Sequence, residues 1–237
     1  MFDIGRFSER FQAKGNPART MLFTTQVLLH QLALASKWSV DGTHRVSPKH
    51  YSQLFITMMR VNDKWVPAVN GLLPDHEKDS YRLQFEMIKF AIEKSNYQNN
   101  IKSIMSDFEL AIQTAAKETF PEVELKGCKF HFGQAVWRHG EREFGKTMKT
   151  SKKFLDLVRS CLALPFIIVD ELQATVDTLK EMTMEDMIVD KARDDFLEYI
   201  QKVWIDGLYS PDMWSCYGRK TDHTNNAQEA YNAVFNR

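Results

Sequence analysis

Apolar and polar positions in the first third of the chain alternate as they do in strands. Lys37 to Val46 carries Trp38 and Val40 at two-residue spacing and breaks at Gly42-Thr43. The runs YSQLFITMMRV (51–61) and WVPAVNGLL (65–73) follow, separated by Asn62-Asp63. β-branched and aromatic runs joined by such a turn predict an antiparallel meander of three strands. The period then changes. Tyr81, Phe85, Ile88 and Ile92 recur at steps of four, three and four, which predicts a helix capped by Asp79. Ile101 to Ser106 reads as a fourth strand ending at Asp107. An Ala-rich helix from Leu110 stops before Pro121, and Leu125 to Phe132 reads as a fifth strand.

Beyond Phe132 only helical periods remain: Phe132 to Phe144, Ser151 to Ala163, Pro165 to Glu181, and Thr183 to about Trp204. A polar connection with Gly207, Ser210, Pro211 and Gly218 leads to a last helix from Thr224. The chain ends inside that helix without a capping glycine, the pattern of a truncated product. The order β-β-β-α-β-α-β is that of the ribonuclease-H-like α/β fold: a mixed five-stranded sheet, here with an all-helical insertion before the last helix. The expected organisation is a helical lead-in (1–35), a catalytic core (36–145), a helical insertion (146–216) and a C-terminal helix completing the core (217–237).

A length of 237 residues suits one large domain or one domain with an insertion, and 43% hydrophobic with 26% charged residues is a globular composition. No run reaches the ~18 apolar residues of a membrane span. Three cysteines, Cys128, Cys161 and Cys216, are too few and too scattered for a disulfide framework. Thirty-one basic and thirty-one acidic residues cancel overall, but not locally. Between Lys126 and Arg159 nine Lys or Arg face three acidic residues, a net of +6; between Asp170 and Glu198 three basic face ten acidic residues, a net of −7. The basic stretch fits a polyanion-binding surface and equally a solvated helical face.

Two carboxylates stand at strand ends, Asp41 in WSVDGT and Asp107 in SDFE. In the order above the first and fourth strands are neighbours, so these aspartates would converge at one edge of the sheet. Close carboxylates repel unless a cation lies between them, and a hard divalent ion with oxygen ligands is the usual solution. Taken singly, Asp41-Gly42 also fits a turn and Asp107 a helix N-cap. A third ligand would come from the last helix, where Asn225, Glu229, Asn232 and Asn236 oppose the apolar stripe of Ala227, Ala230, Tyr231 and Val234. Asn weakens helices, so such a face suggests contacts to ligand or DNA through Glu229. Cys128 and His131 make a C-x-x-H step at the end of the fifth strand, half of a zinc site or a structural pair. Arg138 and His139 follow, within reach of a phosphate. Trp137, Trp204 and Trp214 read as core.

The segments WSVDGTHRVSPKHYSQLFIT, MSDFELAIQTAAKETFPEVELKGCKFHFGQAVWR and TNNAQEAYNAVFNR, in that order from Met21 onward, closely resemble the catalytic core of Mutator-like element (MULE) transposases. The resemblance rests on D-G-T, D-F-E, F-P-x-x-x-x-x-G-C-x-F-H-F and T-N-N-x-x-E. It implies a ribonuclease-H-like core interrupted by a helical insertion, and a DDE triad of Asp41, Asp107 and Glu229 holding two Mg²⁺ or Mn²⁺ ions. His44 departs from the aromatic residue that usually follows D-G-T, and the reading expects no zinc-finger or similar DNA-binding domain ahead of the core, as in a fragment, a decayed copy or a host-retained remnant.

The resemblance therefore implies a nuclear, cut-and-paste DNA transposase performing two-metal phosphodiester hydrolysis and strand transfer on double-stranded DNA, as a possible homo-oligomer without membrane association. Arg138, Arg142, Lys146, Lys149, Lys152 and Lys153 would hold the DNA backbone. The alternatives are an inactive or host-retained transposase-derived DNA-binding protein and a metal-dependent nuclease of the same fold.

Overall fold

The computed structural model describes residues 20–44, 46–182, 187–219, 224 and 230–231, excepting the side chains of 147, 149 and 187–189. The chain divides into two units, Met1–Lys126 with Asn225–Arg237, and Gly127–Thr224.

In the first unit the alternating runs form strands β2 (Lys37–Thr43), β3 (Gln53–Val61) and β4 (Lys64–Leu73). Val61 pairs with Lys64, so Asn62 and Asp63 alone make the β3–β4 turn, with φ of 44° and 62°. Both residue types tolerate the left-handed region that a two-residue hairpin demands. The ladder slips between Thr57 and Met58, where Pro67 pairs with Met58. A bulge accommodates a residue that has no N–H to donate. A short strand β1 (Met21–Phe23), absent from the sequence-based reading, pairs antiparallel with β4. With β5 (Ser103–Ser106) and β6 (Glu124–Gly127) the order is β1-β4-β3-β2-β5-β6, six strands where five were expected. β5 runs parallel to β2 while the other described pairings are antiparallel, so the sheet is mixed.

One face of this sheet carries the main core. Trp38, Val40, Phe55, Met59, Val69 and Leu73 pack there with Tyr81, Phe85, Ile88 and Ile92 of α2 (Lys78–Lys94), Leu29 and Leu32 of α1 (Gln26–Leu34), and Ile112, Ala115 and Ala116 of α3 (Leu110–Thr119). The predicted α2 stripe is thus the buried one. Asp79 lies in its first turn, not at the cap, and pairs with Arg82 at 3.3 Å. The opposite face carries a smaller cluster, Leu54, Ile56 and Met58, against which Val46, Trp65, Leu72 and Tyr231 pack.

The second unit is helical: α4 (Lys129–Phe144), α5 (Thr147–Thr150), α6 (Lys152–Ala163), α7 (Leu172–Lys180), α8 (Met187–Tyr199) and α9 (Pro211–Trp214). α4 starts immediately after β6. The expected strand through Phe132 therefore ends at Gly127, because Phe132, Val136, Gly140 and Phe144, at steps of four, bury one helical stripe. α8 continues into a π-helical turn, Ile200–Ile205, whose Trp204 carbonyl accepts the Trp214 indole N–H at 3.0 Å. Trp204 and Trp214 are buried around Phe132, which stacks on Trp214 with ring centroids 5.1 Å apart; Trp137 is only half-buried. Among the described residues, no helix is long and apolar enough to cross a membrane.

Candidate functional site

Parallel pairing of β2 with β5 sets Lys37 beside Ser103, Trp38 beside Ile104 and Ser39 beside Met105. Carried two residues on, this register sets Asp41 level with Asp107, the first residue past β5. Trp38 and Ile104 belong to the helix-side core, so Ser39 and Met105 lie on the other face, which Asp41 within β2 shares; Asp107 is the first residue past β5. Asp41 directly opposes Ile56 of β3. Its side chain is buried (8% exposed), so its charge needs compensation from close donors or a cation.

Asp107 is held by its own turn. Its Oδ1 accepts the Glu109 N–H at 3.0 Å, and its carbonyl accepts Gln113 Nε2 at 2.9 Å and the Ser106 hydroxyl at 2.8 Å. α3 begins only at Leu110 with Glu109 before it, so Asp107 closes the turn ahead of the helix and is not its cap.

Gly42 sits within β2, not in a turn. A Cβ there would lie 2.2 Å from Gln53 Oε1, so the missing side chain is what admits Gln53. Buried Gln53 donates from Nε2 to the Tyr81 oxygen at 2.8 Å and to the Asp75 carbonyl at 3.0 Å. His76 Nδ1 lies 3.3 Å from the same phenol oxygen, and the His44 and His76 rings are 4.9 Å apart. Burial pushes the Tyr81 phenol well up, and the charges of Glu109 and Asp107 add to this. Burial likewise raises the Glu109 carboxyl; the Tyr81 hydrogen bond opposes the rise and the Asp107 charge reinforces it. The sequence reading missed Gln53, Tyr81 and Glu109. Only the place of Glu109 in the D-F-E step signals any of them.

Glu229 lies outside the described residues. Tyr231, two positions on, packs against the Leu54, Ile56 and Met58 cluster, on the face Asp41 shares with Ile56. Among the described residues no three His, Cys, Asp or Glu side chains gather as a metal site. Cys128 is buried directly before α4 and His131 lies in that helix's first turn, not at a strand end. Of the expected phosphate contacts, Arg138 and Arg142 are exposed on α4, Lys146 follows it, and Lys152 and Lys153 are exposed at the start of α6; the Lys149 side chain lies outside the described residues. Arg142 Nη2 is also 2.7 Å from His139 Nδ1.

The six-stranded mixed open sheet with its helices makes this an α/β domain, in which Asp41 lies within β2 and Asp107 just past its parallel neighbour β5. Residues 37–135, from β2 into α4, match the family model of the MULE transposase domain. The likeness to Mutator-like element transposases read from the first two sequence segments therefore stands, while the third, 224–237, lies outside the match. No curated protein matches the chain.

Proposed function

We propose that the chain is the catalytic domain of a cut-and-paste DNA transposase, cleaving phosphodiesters and transferring strands with Asp41, Asp107 and Glu229 as carboxylate donors for two Mg²⁺ or Mn²⁺ ions. The observation that supports this reading is the parallel β2–β5 pairing, which sets Ser39 beside Met105, two residues before Asp41 and Asp107, inside the matched domain. Two carboxylates, one of them buried, make an all-oxygen donor set suited to hard divalent cations. Glu229 would supply the third donor, a role that rests on the T-N-N-x-x-E motif.

When bound, such ions lower the pKa of an attacking water or 3′-hydroxyl and stabilise the departing oxygen of the phosphodiester. Asp41 supplies anionic oxygens from a rigid strand flanked on both sides. Asp107 supplies its own from a turn clamped at both carbonyl and carboxylate. Pre-organisation of that kind reduces the reorganisation needed at reaction.

The strand sequence β4-β3-β2-β5-β6, with β2 and β5 parallel, favours a ribonuclease-H-like core. The exposed cations of α4 and α6 would grip DNA backbone without reading its sequence, and the site of action would be the nucleus. The test is cleavage of duplex DNA in Mn²⁺ by the purified chain. Strand scission lost in Asp41→Asn and in Glu229→Gln is expected. Cleavage that survives both substitutions overturns the assignment, and binding without cleavage by the wild type transfers the function to DNA binding alone.

A further inference from the structure

We propose that His44 and His76 form a two-nitrogen site for a borderline divalent metal ion such as Zn²⁺, separate from the roles given to Asp41 and Asp107 and independent of them. The two rings lie 4.9 Å apart between centroids, tilted by 58°, and both residues are exposed. A Zn–N bond of about 2.0–2.1 Å sets each ring centre about 3.2 Å from the ion, so two imidazoles in adjacent positions of a tetrahedral ion have centres about 5 Å apart. The observed separation matches that of two rings sharing one ion.

Each ring is also held from behind through Nδ1. His44 Nδ1 lies 3.3 Å from the Ser52 carbonyl, which can only accept, so this nitrogen carries the hydrogen and Nε2 keeps its lone pair. Ser52 is fixed in turn, its N–H donating to the Leu73 carbonyl at 2.9 Å and its hydroxyl to the Pro74 carbonyl at 2.7 Å. His76 Nδ1 lies 3.3 Å from the Tyr81 phenol oxygen, which already accepts from buried Gln53 Nε2 at 2.8 Å. That oxygen can take a second donor, and an ion selects the tautomer in which His76 Nδ1–H donates to it and Nε2 ligates. Metal-bound histidines are oriented in this way, the other ring N–H being given to an oxygen that fixes tautomer and ring plane.

Imidazole nitrogen suits Zn²⁺, Cu²⁺ or Ni²⁺, whereas carboxylate oxygen suits Mg²⁺ and Mn²⁺. Water fills the remaining positions, since among the described residues no third His, Cys, Asp or Glu side chain joins the pair. The pair sits on the α2 side of the sheet: Tyr81 belongs to the core beneath α2, while Asp41 opposes Ile56 of the cluster on the other face. His44 also stands where an aromatic residue usually follows D-G-T, so the site is a property of this chain and not of the shared motif.

The test is calorimetric titration of the intact chain with Zn²⁺ in excess Mg²⁺. The wild type is expected to bind one Zn²⁺ that is lost in His44→Ala and in His76→Ala, both substitutions at exposed positions, and kept in Asp41→Asn and Cys128→Ser. Tyr81→Phe, which removes only the oxygen behind His76, should weaken binding roughly 10–100-fold, the scale of losing an outer partner of a metal ligand. No binding by the wild type, or binding that survives either histidine substitution, overturns the site. Loss of the ion in Asp41→Asn alone would place it on the carboxylates, and loss in Cys128→Ser alone at the C-x-x-H step, and either result overturns the proposal as well. Wild-type affinity in Tyr81→Phe overturns the orienting part given to Tyr81. None of these outcomes depends on strand cleavage, so failure here and failure of the transposase reading are told apart.

Discussion

Gly42 and Gln53 occupy one space: the Cβ that Gly42 lacks would fall 2.2 Å from Gln53 Oε1 and 3.8 Å from Phe55 Cδ2. The glycine of the D-G-T step is therefore a packing requirement within β2. It lets a buried amide reach from β3 to the start of α2.

Gly42→Ala must then displace Gln53, whose amide bonds both Tyr81 and the Asp75 carbonyl. Overpacking of this kind costs roughly 1–3 kcal/mol, and stranding a buried amide adds to it. Urea unfolding should show a lower midpoint with an unchanged slope. The double variant Gly42→Ala with Gln53→Ala should recover part of the loss, because the colliding atom is gone. No recovery would mean that Gln53 is not what the added methyl meets.

Metal binding is separable from catalysis. Ions that bind the folded chain stabilise it by mass action, about 2.7 kcal/mol at a hundredfold excess over Kd. Thermal unfolding in millimolar Mn²⁺ should show a higher midpoint in the wild type and little shift in Asp41→Asn or Asp107→Asn. An equal Mn²⁺ shift in the wild type and Asp41→Asn would place the ion elsewhere.

Legibility follows the strength of the local pattern. The α2 stripe, the Asn62-Asp63 turn and the runs of β2 to β4 are readable because each satisfies a short-range rule within its own segment. β1 has three residues and pairs only with β4, so nothing in its own sequence marks it. The β6–α4 boundary is hidden because Cys128, Phe130 and Phe132 alternate like a strand, while the helical stripe that decides the matter extends to Phe144. Asp41 and Asp107 are readable as strand-end carboxylates. The Gln53–Tyr81 hydrogen bond is not, since its members lie 28 residues apart in sequence. Glu229 lies outside the described residues, and its assignment rests on the T-N-N-x-x-E motif.

The helical unit should lose stability in mild acid through His139. Its ring stacks on Tyr199 of α8 with centroids 3.6 Å apart and planes 7° from parallel, and Arg142 Nη2 lies 2.7 Å from its Nδ1. Burial lowers the His139 pKa from 6.5, the Arg142 charge lowers it further, and Glu143 opposes them. The native state thus holds neutral imidazole. Its contribution is present above the ordinary histidine value and is lost as pH falls through 6.5 toward the lowered native value. His139→Phe keeps a ring against Tyr199 but no longer titrates. Melting curves between about pH 7.5 and 5, a range chosen to span the histidine transition, should fall more steeply for the wild type than for this variant. Parallel curves would show that other groups carry the acid sensitivity.

The last prediction separates a DNA surface from a merely solvated one. Arg138 and Arg142 on α4, Lys146, and Lys152 and Lys153 on α6 are exposed, Arg142 pairing with Glu143 at 3.3 Å; in the acidic stretch Lys180 pairs with Asp177 at 3.0 Å, and Arg193 pairs with Asp190 and Asp194 at 2.9 and 2.8 Å. If the first group neutralises phosphates, duplex binding should be independent of sequence and fall steeply with salt, each neutralised phosphate adding about 0.9 to the slope of log K against log salt. Replacing Lys146, Lys149, Lys152 and Lys153 together by Gln should flatten that slope by up to about 0.9 for every phosphate that these lysines had neutralised. Lys180→Gln should leave it unchanged, because that charge is already compensated within its own helix. Asp41→Asn should also leave it near the wild-type value while abolishing strand scission. A quadruple variant whose slope matches the wild type would make the basic stretch a solvated face, and the side chains that hold DNA would have to be sought outside α4 to α6.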